Sequence, residues 1–186
     1  MNIMVVGVGG QGTLLTSRII GKTALEKGYD VKLSEVHGMA QRGGSVVTFV
    51  RFGDKVSEPV VEEGQVDVLI SFERLEALRY AHFLKKDGVL IVNDCRIDPM
   101  TVVIGAKTYP ENIIENLSKT HKVYTIDGLE IAKSLGNSKV VNSAVLGLGA
   151  KHIGFDEKDW ISVIEKTVPP KTIEVNVNAF KLGYEK

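Results

Sequence analysis

Six residues near the start of the chain have the types and spacing of an anion-binding turn. The segment Gly7-Val8-Gly9-Gly10-Gln11-Gly12 follows a short apolar stretch, precedes a helix-like pattern and matches G-x-G-x-x-G. Glycines at this spacing allow a tight turn and a close approach to the backbone, and the N–H groups of the following helix carry a partial positive charge. The residues of this turn predicted to contact a ligand are Gly7, Gly9, Gly10, Gln11 and Gly12.

The turn by itself leaves three interpretations open. It could bind a phosphate or carboxylate, it could bind a dinucleotide, or its glycines could serve only the close packing of a strand against a helix. Glu35 ends a predicted strand about 20 residues after Gly12, where dinucleotide folds place the acid that binds ribose. Against a dinucleotide, bulky and charged residues follow Glu35, and the chain is too short to include the substrate domain of a dehydrogenase.

A second polar segment, His37-Gly38-Met39-Ala40-Gln41-Arg42-Gly43-Gly44, follows that strand. Loops at the ends of strands are where α/β proteins usually meet ligands. Arg42 can hold a carboxylate or phosphate in a bidentate fork, and His37 can donate or accept a proton near neutral pH. A subunit interface would use the same residues, so both interpretations stay open. The predicted interface or substrate residues are His37, Met39, Gln41, Arg42, Gly43 and Gly44, and Arg42 is also a predicted cofactor contact.

The other reactive residue types do not form a recognisable catalytic set. The sequence lacks a Gly-x-Ser-x-Gly elbow and a pair of histidines at metal-binding spacing, so no catalytic or metal-binding residue is predicted. Cys95, the one cysteine, follows Asp94, and its pattern favours a small residue at a strand end over a reactive thiol. Asn142 and Ser143 open an apolar helix, where they could cap the helix or face a ligand.

The composition is that of an ordinary globular protein. Its 186 residues, 44% hydrophobic and 25% charged, suit a single domain over residues 1–186. Zero net charge disfavours nucleic acid as a partner, because phosphate neutralisation needs a basic face. No segment approaches the roughly 18 apolar residues of a membrane span, and the start of the chain lacks the basic segment of a signal peptide. We therefore expect a cytoplasmic protein with neither a membrane nor a nucleic-acid partner.

Hydrophobic periodicity predicts the elements that position these segments. Strands are predicted over residues 2–7, 30–35, 45–52, 56–61, 66–71, 88–93 and 122–126. Helices are predicted over residues 13–27, with Thr13 as N-cap, and over 73–84, 110–117, 128–135, 140–153 and 172–182. This order predicts a three-layer, Rossmann-like α/β domain with a mostly parallel, mixed sheet of about six or seven strands. The pattern leaves open whether the sheet stays open or curls toward a barrel.

The glycine turn and the segment Ser34-Glu35-Val36-His37-Gly38-Met39-Ala40-Gln41-Arg42-Gly43-Gly44-Ser45-Val46 together resemble the gamma-type domain of 2-oxoacid:ferredoxin oxidoreductases. Within that group, Glu-x-His-Gly-Met-Ala-Gln-Arg-Gly-Gly resembles the beta subunits of indolepyruvate ferredoxin oxidoreductases. Relatives acting on pyruvate and 2-oxoglutarate usually have Pro-Ser-Tyr/Phe-Gly-Pro-Glu-x-Arg-Gly here, and this chain departs from that version. The resemblance runs from about residue 2 to about residue 182.

The resemblance implies an accessory subunit that is inactive and binds no cofactor alone. A large alpha subunit would hold thiamine diphosphate and [4Fe-4S] clusters, and the complex would convert arylpyruvates and coenzyme A to acyl-CoA and CO2 while reducing ferredoxin. The glycine turn and Arg42 would then meet the phosphates of coenzyme A. The alternatives are a free-standing, NAD-type nucleotide-binding module with a regulatory or dehydrogenase-like role, and a purely structural subunit.

Overall fold

A computed structural model describes residues 1–38 and 43–186, which form an open six-stranded sheet with helices on both faces. The strands are β1 (Asn2–Val8), β2 (Asp30–His37), β3 (Ser45–Gly53), β4 (Val66–Ser71), β5 (Leu84–Asn93) and β6 (Lys122–Ile126). The α-helices are α1 (Thr13–Glu26), α2 (Arg74–Tyr80), α3 (Met100–Val103), α4 (Ile113–Leu117), α5 (Gly128–Ser134), α6 (Val141–Ala150), α7 (Glu157–Thr167) and α8 (Ile173–Tyr184). None of the described helices is both long and apolar enough to cross a membrane.

The strand order brings the predicted ligand segments to one edge of the sheet. The order is β2-β3-β1-β4-β5-β6, with β1, β4, β5 and β6 parallel and β3 antiparallel to both β1 and β2. Because β3 is antiparallel to both of its neighbours, β2 runs in the same direction as β1. The carboxyl ends of β1, β2, β4 and β5 therefore lie along the same edge, where open α/β sheets bind ligands.

The prediction of a mixed, three-layer sheet of six or seven strands is confirmed, with two corrections. Residues 56–61 are not a strand, because the Arg51 guanidinium donates hydrogen bonds to the carbonyls of Glu58 and Val60 and holds this segment outside the ladder. In the second correction, the predicted helix over residues 73–84 ends as α2 at Tyr80. A 3₁₀ turn follows it, and β5 begins at Leu84, four residues earlier than residue 88.

Each face of the central strands belongs to a different core. Ile3 and Val5 of β1 lie in the cluster covered by α1, α6, α7 and α8, which includes the wholly buried Trp160 of α7. Met4 and Val6, which alternate with them, lie in the cluster covered by α2 and α4. Burial on both faces explains why β1, β4 and residues 89–92 of β5 are almost continuously apolar in sequence. Helices α3 and α7 were not predicted from the sequence.

Helices α6 and α8 cross with their backbones in contact. A Cβ added to Gly147 of α6 would lie 2.1 Å from the carbonyl oxygen of Phe180, and one added to Gly183 of α8 would lie 1.9 Å from the carbonyl oxygen of Ala144. Both distances are far below any real Cβ contact, so the crossing requires glycine on both helices.

Substitution Gly147→Ala is expected to destabilise the chain by about 3 kcal/mol or more, because overpacking a closed backbone contact forces the helices apart. Urea unfolding followed by circular dichroism measures this change. Gly21→Ala is the matched control, because its Cβ would make only ordinary contacts, with Val31 Cγ1 at 3.5 Å and Val50 Cγ1 at 4.0 Å. That control should be neutral or stabilise the helix by up to about 1 kcal/mol. Equal unfolding midpoints for the two variants would contradict the close crossing.

Candidate functional site at the carboxyl edge of the sheet

The glycine turn after β1 and the polar segment after β2 meet at this edge. The backbone N–H of Gly9 donates a hydrogen bond to the carbonyl of Gly44 at 2.8 Å. Gly43 has a φ of +80°, which glycine adopts without strain. Met39, Ala40, Gln41 and Arg42 lie outside the described residues, so their predicted contacts stay predictions. The two segments that carried the sequence interpretation thus border one region of the surface.

The glycines of the turn have different tasks. A Cβ on Gly7 would lie 2.9 Å from Gln11 Oε1 and 3.1 Å from Phe72 Cβ, so Gly7 allows close packing. Gly10 has a φ of +103°, and a Cβ there would meet nothing within 4 Å. The backbone at Gly10 is therefore open to a ligand, whereas Gly7 serves the structural interpretation of the motif.

Side-chain amides fix the shape of this edge. Gln11 Oε1 accepts from the N–H of Val8 at 2.7 Å, and Gln11 Nε2 donates to the carbonyl of Phe72 at 3.0 Å. Asn93 Nδ2 donates to the same Phe72 carbonyl at 3.1 Å, while Asn93 Oδ1 accepts from the N–H of Gly128 at 3.0 Å. The ends of β1, β4 and β5 and the start of α5 are thereby tied together. The role of Asn93 was not predicted, although its position after an apolar strand is a signal for it.

The N-terminus of α1 faces the same edge without a side-chain cap. Gly12, with a φ of +86°, is the N-cap, so the prediction that Thr13 caps the helix is wrong. The left-handed conformation at this cap position favours glycine, and Gly12 lies one position before Thr13. The first turn contains no acidic residue, and its N–H groups have no partner within the helix. A helix start of this kind attracts an anion.

A cavity of about 540 Å³ lies between the glycine turn and the start of α6. Gly10 and Gly12 form one wall, Cys95 and Asn142 lie in its lining, and Lys139 adds a positive charge. Its described lining includes no aspartate or glutamate. The size is typical of small-molecule sites, and the charge favours an anionic ligand.

A second cavity of about 280 Å³ lies on the other side of the glycine turn. Gly10 and Gly12 line it as well, together with Leu14, Val46, Glu35 and His37. Glu35 reaches this cavity from β2, which is separated from β1 by β3. In dinucleotide folds the acid-bearing strand lies directly beside β1. The position of Glu35 therefore differs from that of a ribose-binding acid in such a fold.

The residues around Cys95 have structural partners. The Arg74 guanidinium donates to Asp94, and the Arg96 guanidinium donates to Asp98 at 2.7 Å. Burial raises the pKa of the Cys95 thiol above its ordinary value, which keeps it protonated near neutral pH.

The two polar residues at the start of α6 differ in role. Ser143 is buried, and its hydroxyl donates to Asn176 Oδ1 of α8 at 2.7 Å. Asn142 packs against the turn, because a Cβ on Gly12 would lie 3.1 Å from the Asn142 Cβ. Ser143 thus joins two helices, and Asn142 lines the larger cavity.

Two buried carboxyl groups beneath this edge were missed by the sequence reasoning. Glu73 caps α2 by accepting from the N–H of Glu76 at 2.9 Å, and it also accepts from the Tyr109 hydroxyl at 2.5 Å. Ser45, which directly follows the polar segment, donates a hydrogen bond from its hydroxyl to the Glu76 carboxylate. Burial raises the pKa of Glu76, and the Ser45 hydrogen bond opposes that rise. Only the helix-capping position of Glu73 could have been read from the sequence.

Comparison with known proteins gives consistent results over the whole chain. Residues 2–186 match the pyruvate ferredoxin/flavodoxin oxidoreductase family. Indolepyruvate oxidoreductase subunit IorB of Thermococcus kodakarensis is 43% identical over 98% of this chain and 93% of its own length. The IorB subunit of Archaeoglobus fulgidus is 43% identical over 99% of this chain and 94% of its own length. The crystal structure of pyruvate oxidoreductase subunit PORC from Thermotoga maritima superposes with a TM-score of 0.76, at 24% identity, over 100% of this chain and 96% of that one.

The pH dependence of stability should report the buried Glu76. The pKa of Glu76 is raised in the folded chain. Its protonated form therefore contributes fully to the free energy of unfolding below the ordinary pKa of 4.5, and this contribution is lost as pH rises through the raised pKa. The glutamine of Glu76→Gln cannot ionise. The free energy of unfolding of this variant, relative to that of the wild type, should therefore increase as pH rises from 4.5 to 7. Urea titrations at several pH values measure this difference. The exposed Glu165→Gln control should show no such trend, and parallel curves for Glu76→Gln and the wild type would refute the assignment.

Proposed function

Because the chain belongs to the pyruvate ferredoxin/flavodoxin oxidoreductase family, we propose that it is the accessory subunit of an arylpyruvate (indolepyruvate) ferredoxin oxidoreductase. The observation that carries this proposal is the 43% identity, over nearly the full length of both chains, to subunits named for indolepyruvate. The assembled enzyme would convert an aryl 2-oxoacid and coenzyme A to acyl-CoA and CO2 and pass the electrons to ferredoxin.

The redox centres of this enzyme belong on a large alpha subunit. A [4Fe-4S] cluster needs four thiolates, and the full sequence contains one cysteine, Cys95. We therefore place the clusters and thiamine diphosphate, which supplies the chemistry of decarboxylation, on that partner. Ferredoxin would meet the complex through it. This chain would contribute binding and orientation of a substrate rather than a catalytic group.

The substrate best matched to the larger cavity is coenzyme A. Its phosphates need positive potential, which the uncapped N-terminus of α1 and Lys139 provide. The described lining of the cavity contains no carboxylate that would oppose them. The open backbone at Gly10 allows a phosphate to approach closely. Arg42, in the segment that Gly43 and Gly44 close, is the proposed second cation for these phosphates. The residues of the turn proposed to contact coenzyme A are Gly9, Gly10, Gln11 and Gly12, while Gly7, predicted with them from the sequence, would support the turn through its close packing against Phe72.

The proposed function is tested by reconstitution. We expect the isolated chain to show no 2-oxoacid oxidation and no binding of NAD, measured by calorimetry. Co-expression with a thiamine-binding, cysteine-rich partner should give a stable complex that reduces ferredoxin with indolepyruvate and coenzyme A. Oxidation of a 2-oxoacid by the isolated chain, or micromolar NAD binding, would support the free-standing alternative instead.

The coenzyme A site is tested by two substitutions in that complex. Arg42→Ala and Lys139→Gln should each raise the KM for coenzyme A by about 10-fold, with kcat little changed, because each removes a charge-assisted phosphate contact. Lys151→Gln, an exposed residue at the end of α6, is the matched control and should leave that KM unaltered. An unchanged KM in both test variants would place coenzyme A elsewhere.

A further inference from the structure

We propose that the smaller cavity, lined by Glu35, is a recognition subsite for a neutral group that donates a hydrogen bond from N–H or O–H. This inference rests on the proposed function and assigns a second subsite of opposite polarity beside the one for phosphate. Glu35 is the acceptor. The cavity of about 280 Å³ has room for one ring of a substrate, not for a whole coenzyme A molecule.

Unsatisfied oxygens in this part of the fold point to an absent donor. Glu35 Oε2 is buried and accepts no hydrogen bond from any described residue. Thr48, its register partner on β3, is wholly buried, and its hydroxyl also lacks a partner among the described residues. Paired residues on neighbouring strands place their Cβ atoms about 5 Å apart on the same face of the sheet. Buried polar atoms without partners are uncommon, and they often mark a site for a ligand or water.

The charge of Glu35 decides what kind of group can enter. A carboxylate repels phosphate, so the anionic part of a substrate is directed across Gly10 to the cavity that includes Lys139. The N-terminus of α1 borders both cavities. Leu14 and Val46 supply apolar walls suited to a flat ring. The cavity therefore selects an uncharged ring system with a polar hydrogen.

Two substrates of the proposed reaction carry such a group. The aryl 2-oxoacid can present the N–H of an indole ring, and coenzyme A can present the hydroxyl or amino groups of its adenosine. Their shared chemistry is a neutral donor on or beside a ring. The kinetics of variants at Glu35 can distinguish the two sources, because phenylpyruvate lacks the ring N–H while using the same coenzyme A.

The test uses Glu35→Gln and Glu35→Ala in the assembled complex, with KM and kcat measured for indolepyruvate, phenylpyruvate and coenzyme A. Replacing a charged acceptor with a neutral amide weakens its hydrogen bond, and about 1.4 kcal/mol corresponds to a 10-fold rise in KM. A rise for indolepyruvate without a rise for phenylpyruvate assigns the subsite to the aryl ring. A rise for coenzyme A with either 2-oxoacid assigns it to the adenosine.

The outcome that overturns the subsite is distinct from failure of the proposed function. If Glu35→Gln, which keeps the size of the side chain, forms an active complex with all three KM values within 2-fold of the wild type, the subsite is refuted and the proposed function stands. The exposed Glu62→Gln is the matched control and should leave every constant unchanged. A wild-type complex that does not oxidise aryl 2-oxoacids would refute the proposed function itself and the subsite with it.

Discussion

The candidate site depends on the carbonyl of Phe72, which accepts hydrogen bonds from the side-chain amides of Gln11 and Asn93. Parallel strands end at the same edge of a sheet, but nothing in their ladders fixes the loops beyond that edge. Here the two amides fix the ends of β1 and β5 to the end of β4. Gln11 also binds the N–H of Val8, so the glycine turn is held in one shape before any ligand arrives. A preorganised turn of this kind lowers the entropic cost of binding.

Opposite charges on either side of this turn divide the edge into two parts. Lys139 lies on one side and Glu35 on the other, while the uncapped start of α1 borders both cavities. This arrangement is complementary to a molecule that has phosphates at one end, for the cavity with Lys139, and a neutral ring at the other, for the cavity with Glu35. Gly10 lines both cavities, and its φ of +103° favours glycine at this position.

A subunit with these properties contributes binding energy rather than reactive groups. The Cys95 thiol is protonated and half-buried, and the buried Glu73 caps α2, so both groups have structural roles or surroundings. In the proposed complex, the reactive centres lie on the alpha subunit, and this chain presents a rigid edge of sheet to them. Helix α6, whose backbone contacts that of α8, also contributes Asn142 to the larger cavity.

The sequence by itself determined the apolar strands, the position of most helices and the two polar segments, because hydrophobic periodicity and glycine spacing are local signals. It also determined the family, since Gly7–Gly12 and the segment around His37 form a specific pair of motifs. Only the tertiary structure decided that β3 lies between β2 and β1, because pairing depends on contacts between residues distant in the chain. That insertion carries Glu35 one strand away from the glycine turn and creates a cavity there. The roles of Asn93, Lys139 and Glu76 likewise follow from neighbours that the order of residues does not reveal.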